Sequence, residues 1–332
     1  MQPRHCVGFH EPHNRNIQPR QKSTTISCIT TVHLSVSWSQ AALSFLIKIG
    51  DNDPIASNHV QGNSVRKVLP YISLLLFCLY STFSYADIAI LIHGYQSSGH
   101  QWRSRGVVNQ LHAQGWYDGG HFTQGPRGIL GPTERGETHH VVYTLDLPNE
   151  APILYQVEAL NKYLQAIRKM AEDERIILIG YSTGGVVARA TMVFHPEHRI
   201  SQLITITSPH RGTEAAYFAY IMAKSPMGDM ADWLGLDSLP RSRQLFSDLR
   251  PEDTGTFLYW LNRQPHPWAS YVSIVRVENR FTGGDILIPH YSQDMRYIPA
   301  IGQRAHIVPT PGDHKLTARD GIVLSKILNF GF

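Results

Sequence analysis

Cysteine is scarce in this chain. Cys6, Cys28 and Cys78 are the three among 332 residues, and none follows residue 86. Residues 87–332 therefore hold no disulfide framework, no cysteine nucleophile and no cysteine zinc site. That stretch also lacks net charge. The whole-chain excess of +4 arises in the first 86 residues, where seven Lys and Arg face three Asp and Glu. A pI near 8.9 therefore describes one end of the chain, and a nucleic-acid partner, which needs a basic face on the folded part, is not expected. Internal repeats, heptads and low-complexity tracts are missing too. So is a Gly-Lys-Ser/Thr phosphate loop after a strand. His139-His140 is only a pair, and His195-Pro196-Glu197-His198 departs from His-Glu-x-x-His. With no cluster at ligand spacing, no cofactor and no catalytic metal are expected.

What the front of the chain does have is a targeting pattern. Arg66-Lys67 precede an apolar run from Val68 to Tyr80, broken by Ser73, and Ser84-Tyr85-Ala86 follow. A positive start, a short apolar run and small residues at −3 and −1 mark residues 65–86 as a secretory signal peptide, cleaved near Ala86. Export to the periplasm or outside the cell follows from this, with a membrane anchor through 68–80 as the alternative. Cys78 follows the bulky Phe77, which argues against a lipid-modified cysteine. Residues 1–64 show no sustained period of 3.6 or 2. They are expected to be an upstream extension outside the fold, with translation starting near Val65.

Residues 87–332 suit one domain. Short apolar runs at 88–92, 141–145, 176–179, 203–207 and 271–277 read as strands buried on both faces. Between them, about 101–113, 155–170 and 185–194 carry helical spacing. Strands alternating with helices predict a doubly wound, mostly parallel α/β sheet whose site lies at the carboxyl ends of the strands. Gly119 to Gly136 reads as a long surface loop. An insertion at about 214–268 carries Tyr217, Phe218, Tyr220, Met222, Met227, Met230, Trp233, Leu234 and Leu236. It is either a cap or lid over a lipophilic groove or the core of cap helices.

The densest signal is the apolar run 176–179 leading into Gly180-Tyr181-Ser182-Thr183-Gly184 and then into a helix. Strand, Gly-x-Ser-x-Gly and helix together form a nucleophile elbow, in which Gly180 and Gly184 let the turn pack and Ser182 is presented.

Four segments resemble the α/β-hydrolase superfamily, in particular its bacterial lipase and esterase branch, across most of residues 88–330. They are His93-Gly94-Tyr95, the elbow, Thr207-Ser208-Pro209-His210-Arg211-Gly212-Thr213, and Gly284-Asp285-Ile286-Leu287-Ile288-Pro289-His290-Tyr291-Ser292. Tyr181 is a departure, since many lipases have histidine there. The resemblance implies a chain order of serine, acid, histidine. Asp285 then fits the acid, with Asp294 and Asp313 as competitors. His314, in a loop opening the last helix, fits the base, while His306 reads as a strand interior and His290 sits too near the acid loop. The backbone N–H groups of Tyr95 and Thr183 are the implied oxyanion donors. Asp146-Leu147-Pro148 resembles a structural turn of the superfamily. A structural calcium ion, which some lipases carry, stays open. The expected function is an exported serine hydrolase acting on small-molecule or lipid carboxylic esters, with transient contact to a lipid surface. Thioesterase, amidase and phospholipid acyl hydrolase are the alternatives on the same site, and a non-catalytic binding protein is the alternative from outside the enzyme class.

Overall fold

The computed structural model describes residues 87–134, 140–224, 238–278 and 284–331. The expected extension 1–64, the signal-like segment 65–86 and the insertion residues 225–237 lie outside them. Along the chain come β1 (Asp87–Ile92), α1 (Gln101–Ser104), α2 (Val107–His112), β2 (Tyr117–Gly125), β3 (Gly128–Leu130) and β4 (His140–Leu145). Then follow α3 (Ile153–Met170), β5 (Arg175–Tyr181), α4 (Thr183–Phe194) and β6 (Gln202–Ile206). The insertion contributes α5 (Glu214–Lys224), α6 (Ser238–Arg241), α7 (Arg243–Asp248) and α8 (Phe257–Leu261). The chain closes with β7 (Ser270–Val277), α9 (His290–Gln293), β8 (Ala305–Pro311) and α10 (Ala318–Phe330).

The strands form one eight-stranded sheet in the order β3-β2-β4-β1-β5-β6-β7-β8. Neighbours pair in parallel except β2 and β3. Every residue from Ile88 to Ile92 is fully buried, because alternate side chains of β1 serve two cores. Ile88, Ile90 and Ile92 pack with the apolar sides of α3 and α4. Ala89 and Leu91 pack with Trp102, Val108 and Leu111 of α1 and α2 and Leu324 of α10. A sheet covered on both faces needs such uninterrupted runs, each buried Ile or Leu contributing roughly 1.5–3 kcal/mol. The strand order turns around β1, so the loops leaving β1 and β5 diverge to opposite sides and open a crevice at the sheet's carboxyl edge.

Two sequence expectations need correction. The helix at about 101–113 is broken in two, with Gly106 at φ 76° as the joint. Gly119 to Gly136 begins not as a surface loop but as the sheet edge: β2 pairs in parallel with β4 and turns tightly into β3 through Pro126-Arg127. Glycine here marks crowding. A Cβ on Gly119 would lie 2.4 Å from the Tyr143 ring, and one on Gly131 would lie 2.3 Å from Phe122. Only Phe122 of β2 is buried, so the strand carries no apolar run to announce it.

Candidate active site

Ser182 occupies the turn between β5 and α4 with φ 54° and ψ −126°. A non-glycine residue there costs on the order of 1–3 kcal/mol and persists only where its surroundings dictate it. Two backbone bonds do so: Ser182 N–H donates to Ile206 O at 2.8 Å, and Gly185 N–H donates to Ser182 O at 3.1 Å. The flanking glycines supply room. A Cβ on Gly180 would lie 2.3 Å from Gly185 Cα, and one on Gly184 would lie 2.4 Å from His93 O. Gly94 presses on the turn from the β1 side, where a Cβ would come within 2.9 Å of Ser182 Cβ.

Three residues far apart in sequence meet at this turn. His314 Nε2 lies 3.0 Å from Ser182 Oγ, and His314 Nδ1 lies 2.8 Å from Asp285 Oδ2. A carboxylate only accepts, so the network assigns the proton to Nδ1 and leaves Nε2 to accept from the serine hydroxyl. The Asp285 side chain is almost fully buried. Its Oδ1 accepts from the N–H groups of Leu287 at 2.9 Å and Ile288 at 3.1 Å, and its Oδ2 accepts from Gln293 Nε2 at 3.2 Å. Gln293 is invisible in the sequence: one amide on a four-residue helix produces no pattern.

The competing residues lie elsewhere. Asp294 pairs with Arg296 at 2.8 Å. Asp313 points outward, its side chain 58% exposed. His306 lies within β8, in register with Val272. His290 opens α9 and faces the Tyr291 ring.

The loop after β1 is tied down by its histidine. Leu147 N–H donates to His93 Nε2 at 2.9 Å, so the ring proton sits on Nδ1 and is donated to Gly94 O at 2.9 Å. Burial lowers the His93 pKa and keeps the ring neutral. Because the trans peptide is planar, a Gly94 carbonyl turned to His93 leaves the Tyr95 N–H on the opposite edge. Thr183 N–H is the first of α4 and has no intrahelical acceptor. Asp146 braces the same loop by accepting from Gly99 N–H at 2.7 Å.

Beside Ser182 opens a cavity of about 490 Å³, walled by Tyr95, Leu245, Phe246, Leu249, Leu287 and Ile288. Tyr95 and Phe246 meet edge to face at 5.2 Å. The wall combines the β1 loop, the insertion and the segment after Asp285, and suits an apolar group bound against the serine. Of the insertion residues singled out in the sequence, Tyr217 and Phe218 are exposed, and 227–236 fall outside the described residues. Among the described residues no three His, Cys, Asp or Glu side chains come together to hold a metal ion.

Comparison with known proteins gives the following. The PGAP1-like alpha/beta domain family matches residues 87–223. A segment of 67 residues is 36% identical to the Lysosomal thioesterase PPT2 homolog of Drosophila melanogaster, covering 20% of this chain and 23% of that protein. A segment of 75 residues is 33% identical to Lysosomal thioesterase PPT2-B of Xenopus laevis, covering 21% and 26%. The chain thus spans about a quarter of the length of the curated relatives it matches. Among solved structures, the lin2722 gene product of Listeria innocua superposes with a TM-score of 0.51 at 12% identity, over 74% of this chain and 95% of that one. The lipase BlEst2 of Bacillus licheniformis, in its propeptide form, gives 0.53 at 15% identity over 74% and 50%. At such identities it is the fold that is shared.

Proposed function

We propose that this chain, a member of the α/β-hydrolase superfamily, is an exported serine hydrolase that cleaves carboxylic esters of lipase or esterase type through an acyl-enzyme on Ser182. The observation that carries the reading is the continuous chain Ser182 Oγ–His314–Asp285 at 3.0 and 2.8 Å, opening onto an apolar cavity. A serine hydroxyl is a weak nucleophile at neutral pH and needs a held base. As Ser182 Oγ attacks the ester carbonyl, its proton passes to His314 Nε2, and Asp285 stabilises the imidazolium from Nδ1. The tetrahedral intermediate places its oxyanion against the N–H groups of Tyr95 and Thr183, each worth about 10²–10³ in kcat by mutational precedent. Collapse expels the alcohol, which takes the proton from Nε2. Water then attacks the acyl-enzyme with His314 again as base, releasing the acid and restoring Ser182. The signal-like residues 65–86 support export.

A thioesterase is the second reading, favoured by the two thioesterase relatives; the same residues would expel a thiolate. The test is hydrolysis of p-nitrophenyl esters from acetate to palmitate, and of acyl-CoA thioesters with a thiol reagent. Wild type should prefer one series, and Ser182→Ala should lose at least about 10⁴-fold in kcat on it. Equal rates for both proteins would refute the nucleophile.

A further inference from the structure

The base loop between β8 and α10 has little of its own to hold it. Asp313 and Lys315, on either side of His314, expose 58% and 76% of their side chains, and Leu316 is the apolar residue that anchors it. Yet three consecutive carbonyls of this loop accept hydrogen bonds from buried side chains. Arg276 Nε donates to Asp313 O at 3.0 Å, Tyr181 Oη to His314 O at 2.8 Å, and Arg276 Nη2 to Lys315 O at 3.2 Å. Arg276 is 4% exposed and stands in the otherwise uncharged strand β7. Its guanidinium also donates to Thr310 Oγ1 at 2.8 Å and pairs with the buried Asp320 at 2.8 Å. Asp320 in turn accepts from Thr317 N–H at 2.8 Å at the start of α10.

The same residue reaches the acid from its backbone. Arg276 N–H donates to Gln293 Oε1 at 2.9 Å. That fixes which way the amide faces, so Gln293 Nε2 donates to Asp285 Oδ2 at 3.2 Å and to Ile288 O at 2.7 Å. The oxygen so held is the one facing His314.

We propose that Arg276 is a positioning residue for the reaction, setting the His314 loop through its guanidinium and the Asp285 carboxylate through its backbone and Gln293. It touches no reacting atom. A planar fork reaches two carbonyls and a carboxylate at fixed angles, which an ammonium at the same place does not. The inference rests on the serine-hydrolase reading above, so its test carries a readout that does not depend on substrate: the rate at which a fluorophosphonate labels Ser182.

Removing Arg276 alone strands a buried Asp320 and unfolds or weakens the protein whatever its role. The informative variant is the double replacement Arg276→Met/Asp320→Asn, in which the introduced amide oxygen still accepts from Thr317. Arg276→Lys, which keeps the charge, accompanies it. In the full chain the double variant should melt near wild type, with kcat and the labelling rate lowered about 100-fold and KM within about threefold, as expected for a misplaced base. Arg276→Lys should recover part of the loss. Wild-type kcat and labelling in a folded double variant would overturn the proposal while leaving Ser182 as nucleophile. If the double variant does not fold, Arg276→Lys decides, and full activity there overturns the geometric role. Failure of wild type to label at Ser182 would overturn both this proposal and the reading beneath it.

Discussion

Mild acid should destabilise this protein well before its carboxylates titrate. Behind the elbow lies a buried arginine with two buried histidines close by. Arg189 is fully buried, and its Nη2 donates to Asn262 Oδ1 at 2.7 Å. His266 Nδ1 lies 2.8 Å from Gln264 O, leaving Nε2 to face Arg189 Nη1 at 3.4 Å. His210 is fully buried, with Nε2 3.1 Å from Thr205 Oγ1. Burial first, and then the Arg189 charge, push His266 down to about 3 and His210 well below 6.5. Both rings are therefore neutral in the folded protein and protonated below pH 6.5 in the unfolded chain. The unfolded state binds more protons, so stability is complete above pH 6.5 and falls as pH drops. Each pH unit below that point costs about 1.36 kcal/mol for a ring held neutral, so at pH 5 His266 costs about 2 kcal/mol, and His210 adds to the loss in the same direction. That is a sizeable part of a typical total of about 5–15 kcal/mol. His93 and His198, also lowered by burial, act in the same direction. Asp248 acts oppositely: burial raises its pKa above 3.8, so the stability it withholds near neutrality returns toward about pH 4. Urea unfolding followed by tryptophan fluorescence should show the midpoint dropping by at least about 0.7 M between pH 8 and pH 5 at constant slope. His266→Gln, whose amide oxygen can accept from Arg189, should remove about 2 kcal/mol of the loss at pH 5. A midpoint that is flat or higher at pH 5 would mean these rings are not buried neutral, and the reasoning would fail.

Two further outcomes follow from contacts at the serine. Gly94→Ala forces a Cβ to 2.9 Å from Ser182 Cβ and 3.1 Å from Tyr181 O. The elbow must shift by about half an ångström, and kcat should fall about 100-fold with KM little changed; a wild-type kcat in steady-state ester hydrolysis would contradict it. Tyr181→Phe deletes the bond to His314 O but keeps the ring that lies 5.5 Å from the imidazole. It should cost about 1 kcal/mol, seen as a melting point about 2–4 °C lower by calorimetry. Burial pushes the Tyr181 phenol up to about 12, so this loss should not vary between about pH 6 and pH 9.

The parts of this molecule legible in sequence are those where one physical demand governs a contiguous run. A strand buried on both faces must be apolar throughout, and 88–92, 141–145 and 176–179 are largely so. A serine on a tight strand-to-helix turn needs glycines beside it, and a Cβ on Gly180 or Gly184 would meet backbone within 2.4 Å. Asp285 and His314 rest on resemblance, because their meeting with Ser182 depends on the order β5-β6-β7-β8, which no local pattern encodes. Asp294 and Asp313 differ from Asp285 only in where the chain places them. Strand β2, second from the edge of the sheet, reads as loop because one buried residue in nine leaves no alternation, and its glycines, present for close packing, look like looseness. Arg276 and Gln293 work through carbonyls and one amide, interactions that any sequence around them would permit.

Polarity is distributed along the sheet in a way that explains how one fold serves both stability and a strained site. The middles of β1, β5 and β6 are apolar, and both cores lie against them. Toward the carboxyl ends the buried residues turn polar: Thr144, Thr205, Thr207, Ser208, Arg276 and Thr310. Buried polar groups in an apolar setting must find partners, and a partnered group fixes its neighbour's position more narrowly than dispersion does. Concentrating them where the loops leave the sheet converts that demand into placement of the loops. The apolar half tolerates the cost, since the roughly 1–3 kcal/mol of strain at Ser182 is comparable to burying one isoleucine of β1. It follows that substitutions in the strand middles should lower stability with little change in kcat, whereas those at the carboxyl ends should separate the two.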